Sequence, residues 1–352
     1  MKAGGDRVAI VGVSGVVGET LLQVLEERRV PIRELGAFAS CDRSEPLVYR
    51  GRPWPVRRAT TRALADAHFD VVFFASNEDA SADLAESCAA SGALVIDNSA
   101  TFRLRADLPL IVPEVNAQAV GAGQRIFPVA NCTAILLSVA LAPIARTAGL
   151  RSVRVATYQA VSGAGRAGLD ALAREEQGQK SLQPTFPAPI FHNVVPQIGE
   201  LDERGNTSEE TKLAAETRKI LGLPMLHVAA TAVRVPVLRA HAAAVFFETM
   251  RDTSASELGD ALAGADGVVF HHGGIATPRD AEGGDRVHVA RLRAETASQR
   301  YFQLWLVGDQ LRKGAATNAV QILQLVMHKN ASDTKPGRDG ILSSTASDGS
   351  FI

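Results

Sequence analysis

Cys132 is the residue of this sequence with the clearest potential for covalent chemistry. It lies in the segment PVANCTAI (residues 128–135), at the predicted start of a helix near Asn131. The helix dipole and the unpaired backbone N–H groups of a helix start stabilise a thiolate, so we expect a nucleophile of lowered pKa. A lone cysteine is more often simply packed in the core, so catalysis depends on partners elsewhere in the chain.

Three polar residues in apolar surroundings are candidates for such partners. Gln159 lies in TYQAVSGAG (157–165), Arg234 lies in VRVPV (233–237), and His241 follows seven residues after Arg234. Near a thiolate, the arginine would supply a two-point clamp for a carboxylate, and the histidine would supply a general acid and base. Taken singly, each residue is more often a hydrogen-bonded core or surface group, so their meaning depends on the combination.

A dinucleotide site is predicted close to the amino terminus. Gly12, Gly15 and Gly18 form GxxGxxG between a predicted strand (7–13) and a predicted helix (18–29). Missing side chains allow a tight turn there and let phosphate oxygens approach the helix N–H groups. The spacing differs from the more common GxGxxG, and a plain tight turn is the alternative interpretation.

The segment FASCDRS (38–44) bears on the choice between NAD and NADP. NAD sites place an acidic residue about 20 positions after the glycines, whereas NADP sites carry arginine and small polar groups there. Ser40, Arg43 and Ser44 are suited to a 2′-phosphate, although Asp42 lies between them. The segment favours NADP, and a solvated loop arginine is the alternative for Arg43.

The apolar pattern predicts an α/β protein with two domains. Short apolar runs with a helix between two of them indicate a Rossmann-type, doubly wound parallel sheet, at 35–39, 71–75, 80–90 (the helix), 94–96 and 126–129. The later β-rich stretches indicate an α+β domain with a mostly antiparallel sheet, at 153–160, 227–237, 243–250, 287–293 and 301–307.

The domain limits follow from these patterns. Residues 1–131 form the predicted nucleotide-binding domain, completed by a returning helix within 312–330 whose apolar run covers 315–328. Residues 132–311 form the catalytic and dimerisation domain. Residues 331–352 are rich in Ser, Asp and Gly without periodicity, which predicts a disordered tail.

Composition excludes several classes of function. The net charge is −1, which gives no global field for nucleic acid or an anionic membrane. No apolar run reaches the roughly 18 residues of a membrane span, and the chain is expected to be cytoplasmic. The three cysteines have no CxxC spacing, and the adjacent His271 and His272 lack ligand spacing, so no disulfide framework and no metal site are predicted.

Seven motifs in one order resemble the aspartate-β-semialdehyde dehydrogenase family, over about residues 8–327. They are the glycine segment 12–18, DNSATFR (97–103), PVANCTAI, TYQAVSGAG, EETK (209–212), VRVPV up to His241, and GDQLRKGAATNAVQI (308–322). The resemblance implies an NADP-dependent, reversible conversion of aspartate semialdehyde and phosphate into aspartyl-4-phosphate, in the biosynthesis of lysine, threonine and methionine. It also implies a homodimer or a dimer of dimers.

The resemblance assigns a role to each candidate residue. Cys132 is the nucleophile, His241 the acid and base, and Gln159 orients the substrate beside the thiol. The substrate and phosphate ligands are Arg103, Asn131, Glu209, Lys212 and Arg234. The implied cofactor contacts are Gly12, Ser14, Gly15, Val16, Val17, Gly18, Ser40, Arg43, Ser44, Ser76, Ser162, Gly163 and Gln310.

Two departures and two rivals accompany the resemblance. The family usually has Gly and Ser beside the histidine, where this chain has Ala240 and Ala242, and the loop 40–44 is one residue longer than usual. The nearest rival is another acyl-phosphate reductase, such as N-acetylglutamyl-phosphate reductase. A non-catalytic paralogue is the rival from a different class, against which Cys132, His241, Gln159 and Arg234 together argue.

Overall fold

The amino-terminal half forms a parallel sheet around the glycine turn. The structure, a computed structural model, describes residues 5–179, 184–295 and 298–333, with 330–333 described by backbone alone. The strands of this half are β1 (Asp6–Val11), β2 (Ile32–Ala39), β3 (Leu47–Tyr49), β4 (Arg52–Trp54), β5 (Val56–Arg58), β6 (Val71–Phe74), β7 (Leu94–Asp97) and β8 (Ile126–Pro128). The helices are α1 (Val16–Glu27), α2 (Thr61–Ala65), α3 (Glu78–Ala90) and α4 (Pro113–Asn116). Six strands pair in parallel in the order β5-β2-β1-β6-β7-β8, and β3 with β4 forms a separate antiparallel hairpin.

Helices cover both faces of this first sheet. Val8 of β1 packs in one core with Leu21 of α1, whereas Val11 packs in another with Leu84 of α3. Neighbouring positions of a strand point to opposite faces, so β1 is buried on both sides, as parallel strands are in α/β folds. The predicted doubly wound architecture is confirmed.

The carboxyl-terminal half forms a second, mixed sheet. Its strands are β9 (Leu150–Ala160), β10 (His227–Val235), β11 (His241–Thr249), β12 (Val268–Phe270), β13 (Val287–Ala294) and β14 (Tyr301–Gly308). Its helices are α5 (Cys132–Ala148), α6 (Gly165–Glu176), α7 (Ser208–Leu221), α8 (Ala255–Ala263), α9 (Pro278–Ala281) and α10 (Thr317–Asp333). In the order β10-β9-β11-β14-β13-β12, the three inner pairings are antiparallel and the two outer ones parallel.

The two faces of the second sheet differ. Val153 and Phe247 point into the main core, which they share with the buried helix α5. The opposite face carries Tyr158, Phe246 and Tyr301, which are 38%, 39% and 42% exposed. The described structure therefore leaves aromatic surface on one side of this sheet.

The strand pairing brings distant residues to one end of the second sheet. Gln159 lies opposite Arg234 in the parallel pair β9 and β10, near the carboxyl end of both strands. His241 opens β11, which runs antiparallel to β9 and pairs Ala242 with Tyr158. These three predicted site residues are therefore neighbours because of the strand order.

Helix α10 returns to the first sheet, where it packs against α1, α4 and β7. A single π-turn, Arg312–Ala316, precedes it. Lys313 of this turn is fully buried, and its Nζ donates to Glu114 Oε2 at 2.6 Å and to Gln321 Oε1 at 2.7 Å. The predicted tail boundary at residue 331 falls within α10, which extends to Asp333, and the rest of that segment lies outside the described residues.

Among the helices of the described part of the chain, none has the length and apolar character needed to cross a bilayer.

Candidate active site

Cys132 is the first residue of α5, and its placement is fixed from two sides. The side chain of Asn131 caps the helix, with Oδ1 accepting from the amides of Thr133 at 2.9 Å and Ala134 at 3.1 Å. On the other side, a Cβ placed on Gly314 of the π-turn would lie only 2.8 Å from the Cys132 Cβ. The backbone of the π-turn therefore lies directly against Cys132. The predicted helix start at Asn131 is observed as its N-cap.

The expectation of a lowered thiol pKa is wrong for the free protein. The pKa of Cys132 is raised to about 11, chiefly by burial and then by the nearby Glu209 carboxylate. The Thr133 hydroxyl and the guanidinium groups of Arg103 and Arg234 act in the opposite direction. Desolvation of the thiolate outweighs the helix terminus, whose effect is typically about 0.3–1 kcal/mol.

Glu209, Asn131 and Gln159 form a hydrogen-bonded group beside the thiol. Asn131 Nδ2 donates to the Glu209 carboxylate oxygens at 3.0 and 3.1 Å, and Gln159 Nε2 donates to Glu209 Oε1 at 3.0 Å. The structure thus brings together three predicted residues that come from α7, the loop before α5, and β9. The group presents an acceptor-rich carboxylate to the site.

Arg234 is buried, and one of its hydrogen-bond donors has no partner in the described part of the chain. It is 4% exposed, and its Nη1 donates to the carbonyl oxygen of Ala160 at 2.7 Å. Its Nε–H has no partner among the described residues. Burial lowers the pKa of Arg234, while Cys132 and Glu209 act to raise it. A buried donor without a partner is costly, which fits a site for an anionic ligand group.

His241 is also buried, and one of its ring nitrogens faces the site. Its Nδ1 accepts from the Ala160 amide at 3.1 Å, whereas Nε2 has no partner within the described chain. Because a backbone N–H only donates, the neutral ring must carry its proton on Nε2. Burial and then the charge of Arg234 hold the pKa of His241 well below 6.5. His241 is therefore a neutral hydrogen-bond donor in the free protein.

Gly163 lies against both of these residues. A Cβ at this position would come within 2.6 Å of Arg234 Nη1 and 2.9 Å of His241 Nε2. Next to it, Ser162 Oγ donates to the Leu238 carbonyl oxygen at 2.5 Å and accepts from Gln310 Nε2 at 2.6 Å. Glycine at 163 therefore leaves the space into which the arginine and histidine point.

A cleft of about 420 Å³ connects the glycine turn with Cys132. Gly12 has φ +90°, and a Cβ there would lie 2.4 Å from the Ala75 carbonyl oxygen, which explains the need for glycine. Gly18 packs equally closely on Gly12, since its Cβ would lie 2.3 Å from the Gly12 carbonyl oxygen. The predicted cofactor residues that line the cleft are Gly15, Val16, Val17, Ser76, Ser162, Gly163 and Gln310.

Six predicted cofactor residues are not in that lining, namely Gly12, Ser14, Gly18, Ser40, Arg43 and Ser44. Ser14 lies in the glycine turn itself, and Ser40, Arg43 and Ser44 are exposed in the loop after β2. The Asp42 carboxylate of this loop accepts from the Arg58 amide at 2.7 Å, on the adjacent strand β5. The Asp42 carboxylate is therefore already hydrogen-bonded to a backbone amide.

An open depression of about 550 Å³ adjoins the cleft, and the three predicted phosphate ligands line it together: Arg103, Asn131 and Lys212. Arg103 Nε donates to the Val129 carbonyl oxygen at 2.8 Å and Nη2 to the Asn98 carbonyl oxygen at 2.6 Å. Lys212 Nζ lies 3.7 Å from Glu78 Oε1. Arg103 is thus held rigidly, whereas Lys212 is only loosely paired.

Among the residues at the site that escaped prediction, Glu216 and Gly314 contact predicted site residues directly. Glu216 is 1% exposed, and its Oε2 accepts from the Asn131 amide at 2.5 Å. It follows Glu209 by seven positions in α7, a spacing that puts both on one helix face. Gly314 contacts Cys132, and only its position within GDQLRKGAATNAVQI was a signal. As for metals, no group of three or more His, Cys, Asp or Glu side chains in the described ranges could hold an ion.

Comparison with known proteins places this geometry in a family. The family model described as "Semialdehyde dehydrogenase, NAD binding domain" matches residues 7–122, and "Semialdehyde dehydrogenase, dimerisation domain" matches 141–313. Aspartate-semialdehyde dehydrogenase 2 of Vibrio cholerae is 40% identical over 329 residues, covering 91% of this chain and 97% of that protein. The aspartate-semialdehyde dehydrogenase of Aquifex aeolicus is 39% identical over 336 residues, covering 92% and 98%.

A solved structure agrees with the sequence comparison. Aspartate semialdehyde dehydrogenase II from Vibrio cholerae, complexed with ASA, superposes with a TM-score of 0.86 at 38% identity, covering 93% of this chain and 99% of that one. Because two family models together span most of the chain and named relatives align over nine-tenths of it, the chain belongs to the aspartate-semialdehyde dehydrogenase family.

Proposed function

We propose that the chain catalyses the reversible, NADP-dependent interconversion of L-aspartate 4-semialdehyde plus phosphate with L-aspartyl 4-phosphate, in the biosynthesis of lysine, threonine and methionine. The carrying observation is the arrangement around Cys132. Cys132 lines the nucleotide cleft and adjoins the open depression of Arg103, Asn131 and Lys212, which we call the anion pocket. A carboxylate, a buried arginine and a neutral histidine complete the site. Membership of the family supports this reaction.

The cleft fits a dinucleotide. The strand, glycine turn and helix α1 place free amides where a pyrophosphate binds, and glycines at 15 and 163 leave room along the route to Cys132. A bound nicotinamide would supply hydride transfer to or from the substrate carbon. Ser162, Gly163 and Gln310 would hold that end of the cofactor, and the exposed loop with Ser40, Arg43 and Ser44 would hold the 2′-phosphate.

Substrate recognition follows from charge. The unpaired Nε–H of Arg234 is suited to the substrate α-carboxylate, and the Glu209 carboxylate to its amino group. An ammonium on Glu209 would offset the negative charge that helps to keep Cys132 protonated. Binding of the substrate amino group would thereby favour the thiolate, and Arg103 acts in the same direction.

Covalent chemistry at Cys132 then proceeds in three steps. Sulfur forms a bond with the aldehyde carbon, and the Nε2–H of His241 donates a hydrogen bond to the carbonyl oxygen as negative charge develops on it. The C–H bond of this adduct then breaks, its hydride would be accepted by a bound NADP⁺, and the re-formed carbonyl leaves a thioester on Cys132. Phosphate held by Arg103, Asn131 and Lys212 attacks the thioester carbon, the C–S bond breaks, and the sulfur leaves as thiolate.

One assay tests the proposed reaction. NADPH formation from aspartate semialdehyde is followed with phosphate, with arsenate and with neither, and N-acetylglutamate semialdehyde serves as the rival substrate. We expect turnover that requires phosphate or arsenate and is specific to aspartate semialdehyde. Preference for the acetylated substrate would indicate the other acyl-phosphate reductase, and no turnover with either would indicate a non-catalytic protein.

We also infer a cytoplasmic homodimer, in which a second copy covers the aromatic face of the second sheet. Support comes from the exposed Tyr158, Phe246 and Tyr301 and from the matched dimerisation-domain model. Analytical ultracentrifugation distinguishes this dimer from a monomer and from a dimer of dimers.

We also propose two domains. The nucleotide-binding domain comprises residues 1–131 and the returning helix in 312–330, because α10 packs on α1 and α4. Residues 132–311 form the catalytic and dimerisation domain.

A further inference from the structure

Helix α7 presents a charged face toward the anion pocket. Glu209, Lys212, Glu216 and Lys219 are spaced by three, four and three positions, so they lie along one side of the helix. The first two belong to the proposed substrate and phosphate sites. Glu216 and Lys219 have no role in the reaction described above, although both contact the segment that carries Arg103.

Glu216 lies between two components of the pocket. One carboxylate oxygen accepts from the Asn131 amide at 2.5 Å, and the other lies 3.5 Å from Arg103 Nη1. Its side chain is 1% exposed, and burial raises the pKa of Glu216 while Arg103 and the Asn131 amide lower it. A buried carboxylate is costly unless it is paired, so Glu216 links Arg103 to Asn131, in addition to the bonds of Arg103 to the Val129 and Asn98 carbonyl oxygens.

Lys219 holds the other end of the same arginine. Its Nζ donates to the carbonyl oxygens of Arg103 at 2.8 Å and Arg105 at 2.7 Å. Arg103 is therefore held by α7 at its backbone through Lys219 and at its guanidinium through Glu216. Asn131 is likewise held by α7 twice, at its amide by Glu216 and at its side chain by Glu209.

We propose that Glu216 is a positioning residue of the phosphate pocket, which fixes the Arg103 guanidinium and the Asn131 amide in the geometry that receives the substrate phosphate, with Lys219 as its backbone counterpart. The inference rests on the proposed function, because it takes Arg103 as a phosphate ligand. Glu216 acts through these residues and does not itself contact the phosphate.

The direction in which the KM for phosphate changes in one variant distinguishes a positioning role of Glu216 from a purely electrostatic one. As a mere negative charge near the pocket, Glu216 would repel phosphate, and Glu216→Gln would then lower the KM for phosphate. If Glu216 positions Arg103 and Asn131, Glu216→Gln would instead raise the KM for phosphate. The glutamine oxygen can accept from the Asn131 amide, but its NH₂ group then faces the Arg103 donors, and the guanidinium must move.

We therefore expect Glu216→Gln to raise the KM for phosphate about tenfold, as expected for loss of one hydrogen bond to a charged group. The KM for aspartate semialdehyde should change less than about twofold on the same scale. Glu216→Asp keeps the charge and should recover part of the phosphate affinity. Lys219→Met, a change at a half-buried position, should raise the phosphate KM in the same direction and serves if Glu216→Gln fails to fold.

Glu210→Gln is the matched control. Glu210 lies on the same helix and accepts from the amides of Thr207 at 2.7 Å and Ala232 at 2.8 Å, with no contact to Arg103. The Glu210→Gln variant should have a lower melting temperature and an unchanged KM for phosphate. A phosphate KM that falls or stays constant in both Glu216→Gln and Lys219→Met would overturn the inference.

Phosphate binding measured by titration calorimetry keeps this test separate from the proposed function. If the wild type binds phosphate without oxidising aspartate semialdehyde, the proposed function fails, and the ratio of dissociation constants between wild type and Glu216→Gln still decides the role of Glu216. Absence of phosphate binding by the wild type would refute the positioning role itself.

Discussion

The two ends of the proposed cofactor and substrate site are built in opposite ways. At the reacting end, Gln159, Arg234 and His241 are 2%, 4% and 1% exposed, and each is hydrogen-bonded to backbone or to another side chain. At the end beyond β2, Ser40, Arg43 and Ser44 are exposed, and the contacts that shape their loop are made by backbone amides.

The difference follows from what each end must do. Charge develops on the substrate during the reaction, and fixed groups in a site without water stabilise that charge most effectively. Choosing between NAD and NADP requires only one or two favourable contacts with a solvated phosphate. Substitutions should therefore have large effects at the buried end and moderate, selective effects at the exposed end.

Loss of the nucleophile should have the largest effect. Cys132→Ala is expected to reduce kcat by at least roughly four orders of magnitude, because no other group can form the thioester. The melting temperature should stay within a few degrees, since Asn131, not Cys132, caps α5. Steady-state kinetics and a thermal melt check both parts. Appreciable residual turnover would show that Cys132 is not the nucleophile.

A buried arginine should tolerate even a conservative change poorly. Arg234→Lys is expected to reduce kcat/KM for aspartate semialdehyde roughly 100-fold or more, because an ammonium cannot both reach the Ala160 carbonyl oxygen and hold a carboxylate at two points. Arg105→Lys, at an exposed ion pair with Asp107, is the matched control and should be nearly silent. Equal behaviour of the two variants would remove Arg234 from the site.

At the exposed end, Arg43→Ala should reduce the preference for NADP⁺ over NAD⁺ by roughly 10- to 150-fold, as expected for a lost guanidinium contact to phosphate. The kcat/KM for NAD⁺ should change little. Arg33→Ala changes an exposed arginine at the opposite end of β2 and should leave the preference intact. Equal losses with both cofactors would mean that Arg43 only shapes the loop. A wild-type preference for NAD⁺ would mean that Asp42 leaves the Arg58 amide and binds the ribose.

The reactivity of the thiol tests the electrostatics of the buried end. With a Cys132 pKa of about 11, alkylation of the free protein by iodoacetamide should still increase with pH above pH 9 and show no plateau near neutrality. Glu209→Gln removes the main negative charge near the sulfur and should accelerate the reaction at pH 8 roughly threefold or more. Peptide mass spectrometry separates Cys132 from the exposed Cys41. A plateau below pH 8 would contradict the raised pKa.

Local features of the chain were predictable because their causes are local. The glycine turn after β1 and the start of α5 at Cys132 follow from glycine spacing, an apolar run and an asparagine cap. The strands β5 and β12 and the hairpin of β3 and β4 were missed, since three-residue strands carry almost no periodicity.

Features that depend on tertiary structure were not predictable from the residues themselves. Gln159 and Arg234 meet because β10 adds in parallel beside β9 after a connection of more than 60 residues, which no short pattern specifies. Glu216 acts through Arg103, 113 positions earlier in the chain. The raised pKa of Cys132 arises from burial and from Glu209, whereas the sequence shows only the helix start.

The smallest expected effect concerns the residues that flank His241. Ala240 has φ +70°, where a side chain typically costs about 1–2 kcal/mol. Glycine also loses about 0.4–1 kcal/mol through the greater freedom of the unfolded chain. Ala240→Gly should therefore stabilise the protein by roughly 0.5–1 kcal/mol, the difference between these two terms.

Ala242→Gly provides the matched control, because it adds the same freedom on the other side of His241. Ala242 lies within β11, is 2% exposed, and has ordinary strand geometry, so glycine there brings no relief of strain. We expect that variant to lose roughly 0.5–1 kcal/mol or more. Urea denaturation of both variants measures the free energy of unfolding, and the two changes should have opposite signs. Destabilisation by both substitutions would show that the left-handed backbone at Ala240 carries no strain. The hydrogen bond that the Ala240 amide donates to Gln310 Oε1 at 2.8 Å would then be sufficient to hold the turn before His241.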